Sequence, residues 1–260
     1  EALEYLSSNP SSHDKFEFEV STNFLSPNIE QRISRWKEFG ISDEDINETL
    51  EIYRTFTESL VNLNYIDESL MKIESLDKKG DEVQQGHDHN YNRINSLLLD
   101  CSELGTRPFS SLARLAFVGN AFLKSFLDLG AIKVNEYTSF LNSINTVATE
   151  MSDRMVLVRK GDISIDDFLV NYGHLRPGTW EITSYSYLEK PELYFEIKNN
   201  LRDERDAIKV PEKFNFTQVS KKKMQKILRE LDLDLEIDYL LDFTKKSIQA
   251  REYAKFIFTK

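Results

Sequence analysis

Nine glycines and six prolines in 260 residues are few for turns and loops. That scarcity argues against a β-sandwich or a loop-dominated fold and favours helices. The single cysteine, Cys101, rules out an internal disulfide. The opening residues do not read as a secretory signal, so the expectation is a reducing cytoplasm. No apolar run approaches the roughly 20 residues that a membrane helix needs. Positive charge is also in deficit. Lysine and arginine total 33 against 44 aspartates and glutamates, a net charge of −11. This argues against binding a phosphate backbone, and the short run Lys221-Lys222-Lys223 does not change that. Neither nucleic acid nor a membrane is an expected partner. The chain carries no Gly-rich phosphate cradle, no serine nucleophile elbow and no zinc-ligand spacing. It opens on Glu1-Ala2-Leu3 and closes inside an apolar periodic pattern at Phe256–Lys260. The expectation is a piece of a longer protein.

What is present is mostly helical periodicity. Apolar positions recur at helical spacing from Ile29 to Phe39, with Gly40 as the stop. Ser42 is a good N-cap before Asp43-Glu44-Asp45, and a stripe through Ile46, Leu50, Tyr53, Phe56 and Leu60 predicts a long helix to about Asn64. Further helices are predicted over about 67–76, 91–103, 108–129, 135–155, 165–172, 220–230 and 237–258. The helix through Leu112, Leu115, Val118, Phe122 and Phe126 is apolar nearly all round and belongs at the centre of a core. Residues 77–90 read as a polar loop. His87 and His89 within it do not form a defined metal motif, and no metal is expected. Phe16, Phe18 and Val20 alternate with glutamates in the period of a strand. The reading is a mainly α, multi-helix domain spanning 1–260, with small extended elements near 14–20 and 179–187. A sub-boundary is possible in the charged stretch near 199–215.

One stretch concentrates candidate chemistry. Asn171-Tyr172-Gly173-His174-Leu175-Arg176-Pro177-Gly178-Thr179 ends a helix and precedes an aromatic-rich segment. Gly173 sits where a left-handed helix-stop glycine belongs. Arg176-Pro177-Gly178 reads as a tight turn that would hold His174 and Arg176 in a defined place. A cation and an imidazole so held suit an anionic or phosphorylated ligand. The same residues also suit a plain helix stop with a structural arginine. Arg107, Arg114 and Arg251 are further cations within core-forming patterns, where an ion pair is the alternative to a ligand.

Three stretches resemble one family. Gly105-Thr106-Arg107-Pro108-Phe109-Ser110-Ser111-Leu112-Ala113-Arg114 is the first, Tyr172–Thr179 the second and Arg251-Glu252-Tyr253-Ala254-Lys255-Phe256 the third. In this order they resemble phosphoenolpyruvate-synthase-like phosphotransferases, the group that includes pyruvate phosphate dikinase. The family includes rifampin phosphotransferase and L-glutamine kinase, and the Leu175–Thr179 form is most similar to the latter. The resemblance implies a largely helical acceptor-binding domain. It would work between an ATP-grasp domain and a swivelling domain that carries a phosphorylated histidine. ATP and Mg are then expected for the full-length enzyme, and no cofactor for this piece. Neither of the other two domains is recognisable here, so turnover by this chain alone is not expected. His174 and Arg176 would be catalytic. Arg107, Arg114, Tyr172, Thr179 and Arg251 would bind the small-molecule acceptor, an amino acid such as L-glutamine. Two alternatives stay open: a non-catalytic scaffold module, and an acceptor domain for an antibiotic hydroxyl. Convergence of the cations on one concave site would separate enzyme from scaffold.

Overall fold

A computed structural model describes residues 24–85, 91–177, 183–195 and 213–260. The protein is mainly α-helical, and the described residues contain no strand. The helices are α1 (Ile29–Glu38), α2 (Asp43–Leu60), α3 (Leu63–Gln85), α4 (Tyr91–Asp100), α5 (Arg107–Asp128), α6 (Val134–Asn142), α7 (Val147–Lys160), α8 (Ile165–Tyr172), the four-residue α9 (Glu192–Phe195), α10 (Gln218–Glu230) and α11 (Ile237–Phe258). A π-helical turn, Cys101–Thr106, joins α4 to α5. None of these helices is long and apolar enough to cross a membrane.

Several boundaries depart from the sequence reading. Residues 77–85 continue α3 instead of looping. They lack an apolar stripe, but nothing in Asp77-Lys78-Lys79 forbids a solvated helix. Gly105 and Pro108 do not break the chain. The backbone stays right-handed helical at Asp100 and Arg107, and Pro108 follows as the second residue of α5. The helix expected over 135–155 is two helices, because Thr146 starts a new one: its hydroxyl accepts from Thr149 N–H and Thr149 Oγ1 accepts from Thr146 N–H. The cap of α10 is Thr217, so this helix starts two residues before the expected 220–230. The extended element near 179–187 is not a strand where it is described, since residues 183, 184 and 187 lie in turns or bends and 185–186 take no regular structure. Residues 14–20, 179–182, His87 and His89 lie outside the described residues, as does most of the 199–215 stretch.

The chain falls into two compact units. One comprises residues up to Asn62, Leu115–Tyr137 and Phe216–Thr244. Its core holds Phe24, Phe122, Phe126, Met224, Leu228, Leu240 and Phe243, all almost fully buried. The Phe24 and Phe122 rings lie 6.0 Å apart. Buried Thr57 accepts from Leu25 N–H at 2.7 Å and donates to the Tyr53 carbonyl at 2.6 Å, so neither polar group is left unmet. Gly119 of α5 faces Thr244 of α11 closely enough that a Cβ would lie 2.9 Å from the Thr244 Cα.

The other unit comprises Leu63–Arg114, Thr138–Asn215 and Lys245–Lys260. Ile66, Ile73 and Leu112 are fully buried there, as is an aromatic cluster centred on Phe168. Phe168 meets Tyr172 and Phe195 at 5.1 Å and Tyr187 at 5.7 Å, the last two edge-on. Such edge-to-face pairs add to area burial because each ring presents a positive edge to a negative face. Ser164 fixes the start of α8 by accepting from Asp167 N–H, and Phe168 follows one residue later. This cluster supports the segment that the sequence singled out.

Candidate functional site

The segment begins where α8 ends. Gly173 takes φ −59° and ψ −31°, right-handed and not the left-handed stop expected. A glycine is needed there for space: a Cβ would lie 2.5 Å from the Leu169 carbonyl oxygen and 3.1 Å from Leu188 Cβ. The close approach lets a second segment lie alongside. Leu188 N–H donates to the Gly173 carbonyl at 2.9 Å and Tyr187 N–H to the Leu175 carbonyl at 3.0 Å. Arg176 fastens the same two segments through its side chain. Its Nη1 donates to the Ser184 carbonyl and, at 3.0 Å, to Glu189 Oε2. Ser186 N–H also donates to that oxygen, at 2.7 Å. The Ser186 backbone N–H, then its hydroxyl, hold the Glu189 carboxyl below the usual carboxylate range, with Arg176 adding to the effect.

A cleft of about 220 Å³ opens beside this fastening, within the same unit. Val147, Ala148 and Met151 of α7 form one wall, and Leu175, Arg176, Pro177 and Tyr187 another. Glu252, Lys255, Phe256 and Thr259 form the third. Their i, i+3, i+4, i+7 spacing places them on one face of the last turns of α11. Val147 and Ala148 are the first residues of α7, whose N-terminal end carries a partial positive charge.

Arg176 is the one sequence-predicted cation that lines the cleft among the described residues. Arg107 is largely exposed and pairs with Glu103 at 2.7 Å. Arg114 is exposed and is not part of the lining. Arg251 turns to its neighbour, with Nε and Nη2 donating to Glu252 Oε1 at 3.0 and 2.5 Å. The gathering of Arg107, Arg114, Arg176 and Arg251 expected from the sequence is therefore not what the structure assembles around this cleft. Thr179 lies outside the described residues.

His174 and Tyr172 sit behind the wall and not in it. His174 Nε2 lies 3.2 Å from the Phe256 carbonyl, so this nitrogen bears the proton and donates. The imidazole packs edge-on against the Phe256 ring at 5.0 Å. Burial lowers its pKa below 6.5; the Phe256 carbonyl and Asp77 act in the opposite direction, and Lys260 with burial. Tyr172 is buried, and its phenol is pushed up to about 12 by that burial and by the charge of Glu150. Its ring meets Phe256 at 5.9 Å. Both residues thus hold a wall residue in place.

Sequence reasoning missed Lys255 and Glu252 as site residues, although both stand inside the third resembling stretch. Their signal was a charged pair three apart on an otherwise core-forming helix. Lys255 Nζ has no hydrogen-bond or ion-pair partner among the described residues, whereas Glu252 already accepts from Arg251. No cluster of potential metal ligands occurs among the described residues. The arrangement can hold a small ligand with an apolar body against Met151, Leu175, Tyr187 and Phe256, and an anionic group against the two cations. No family model matches the chain, and no curated protein or solved structure matches it either.

Proposed function

We propose that the unit carrying the cleft is the acceptor-binding part of an ATP-dependent, phosphohistidine-mediated phosphotransferase of the phosphoenolpyruvate-synthase-like kind. One observation carries the reading: the three resembling stretches meet around the end of α11. Phe109 stacks on Phe258 at 5.9 Å, and Gly105 leaves room for the same ring. His174 donates to Phe256, and Arg176 shares the cleft with Lys255. Phosphoryl transfer asks such a domain for positioning of the acceptor more than for covalent chemistry. Arg176 and Lys255 would hold the acceptor's anionic group at the cleft, and His174 keeps Phe256 placed. ATP, Mg and the phosphohistidine would be supplied by other domains of the full-length enzyme.

The test is the melting temperature of this chain with L-glutamine, other amino acids, rifampin, ATP and phosphate. A ligand at about 100 times its Kd adds roughly 2.7 kcal/mol, a rise of about 5–10 °C for a chain of this size. A rise with a small acceptor and none with ATP is the expected result. ATP hydrolysis by the pure chain would overturn the reading. The scaffold alternative is favoured by the ion pairs of Arg107, Arg176 and Arg251, and a panel without any shift would select it. A cleft of this size does not suit a large antibiotic.

A further inference from the structure

Resting on the acceptor-site reading, we infer that the cleft takes a small apolar monocarboxylate, a ring-sized hydrocarbon body bearing one carboxylate and no second charge. Three cations and two carboxylates belong to the cleft or its fastening. Arg176 is paired with Glu189, and Arg251 with Glu252. Lys255 is left over, one positive charge without a partner among the described residues. Arg176 spends only Nη1 on Ser184 and Glu189, so its Nε–Nη2 edge, the pair of parallel donors that fits a carboxylate, has no partner among the described residues either. One residual charge and one bidentate edge match a single carboxylate. A phosphate dianion would carry a second charge that nothing in the cleft neutralises.

The rest of the lining decides the body of the ligand. Val147, Met151, Leu175, Tyr187 and Phe256 offer aliphatic and aromatic surface. A hydrophilic side chain against them would lose its water without gaining partners. At about 220 Å³ the cleft is smaller than the pockets that enclose drug-sized molecules, about 300–1,000 Å³, and of a size for one ring and a short linker. Glu252 takes both Arg251 donors on Oε1, and that pairing offsets its charge at the cleft.

Calorimetric titration of the whole chain with 3-phenylpropanoate, 3-phenylpropanamide, phenyl phosphate, L-phenylalanine and L-glutamine tests this. The carboxylate should bind best, and the neutral amide about 10-fold to 100-fold more weakly, the loss expected for a charge-assisted contact. Lys255→Gln should weaken 3-phenylpropanoate by a similar factor, with Lys255→Arg restoring most of it. Thermal melts of both variants confirm folding, since no described partner is lost. Tighter binding of phenyl phosphate or L-glutamine overturns the monocarboxylate but leaves an acceptor site standing. Binding indifferent to Lys255, or no binding by any probe, overturns the inference. Lys255-dependent binding of 3-phenylpropanoate, with the complete enzyme phosphorylating no acceptor, keeps the ligand class and removes the phosphotransferase reading.

Discussion

Two glycine-to-alanine substitutions should move stability in opposite directions. Gly80 lies inside α3, and a Cβ there would meet nothing within 4 Å. Alanine is a better helix former and restricts the unfolded chain, so Gly80→Ala should stabilise by about 0.5–1 kcal/mol. Gly119 also lies inside a helix and would gain the same amount. Its Cβ, however, would sit 2.8 Å from Thr244 Oγ1 and 2.9 Å from Thr244 Cα. The second contact is with backbone, which cannot rotate away, and the Thr244 hydroxyl is held by the Leu240 carbonyl at 2.8 Å. Overpacking of a buried contact costs about 1–3 kcal/mol, enough to outweigh the helical gain. The net for Gly119→Ala is a loss of roughly 1–2 kcal/mol, or about 2–8 °C in melting temperature. Urea unfolding followed by circular dichroism gives both midpoints. A Gly119→Ala protein as stable as Gly80→Ala would refute the close approach of α5 to α11.

The cap of α7 offers a second prediction. Thr146→Ala removes the acceptor for Thr149 N–H and should cost about 1 kcal/mol, seen as a lower thermal midpoint. His174 gives a pH dependence. Its pKa is lowered in the folded protein, so the unfolded chain takes up the proton first as pH falls below about 6.5. Stability should be complete above that pH and decline as pH drops from there through the folded value. His174→Gln should flatten that part of the stability–pH curve, and an unchanged slope would contradict the burial of the imidazole.

Much of the fold could be read from apolar spacing. The buried face of α5, with Leu112, Leu115, Val118, Phe122 and Phe126, was visible because its neighbours are nearly all apolar. Ser42 and Ser164 marked helix starts because a side-chain oxygen before acidic residues answers the orphan N–H groups and the dipole. The continuation of α3 through Asp77–Gln85 was not visible, since that stretch of sequence carries no apolar stripe. Gly105 and Gly173 misled for one reason: each reads locally as a stop, but its neighbours Phe258 and Leu188 are distant in sequence or beyond a turn. The site was half legible. Arg176 stood out on its turn, whereas Lys255 matters only because α7 and the Leu175–Pro177 segment come up against its face of α11.

The π turn at Cys101–Thr106 makes the helical run from α4 to α5 a matter of residue count. Such a turn holds one residue more than an α-helix would spend on the same rise. Each residue of an α-helix turns the chain by about 100°. Removing a single residue from this turn would therefore close an ordinary helix and swing the leucines of α4, Leu97, Leu98 and Leu99, to another direction relative to Leu112 of α5. A lineage could reset the outward face of α4 by one codon gained or lost, without altering a single core side chain.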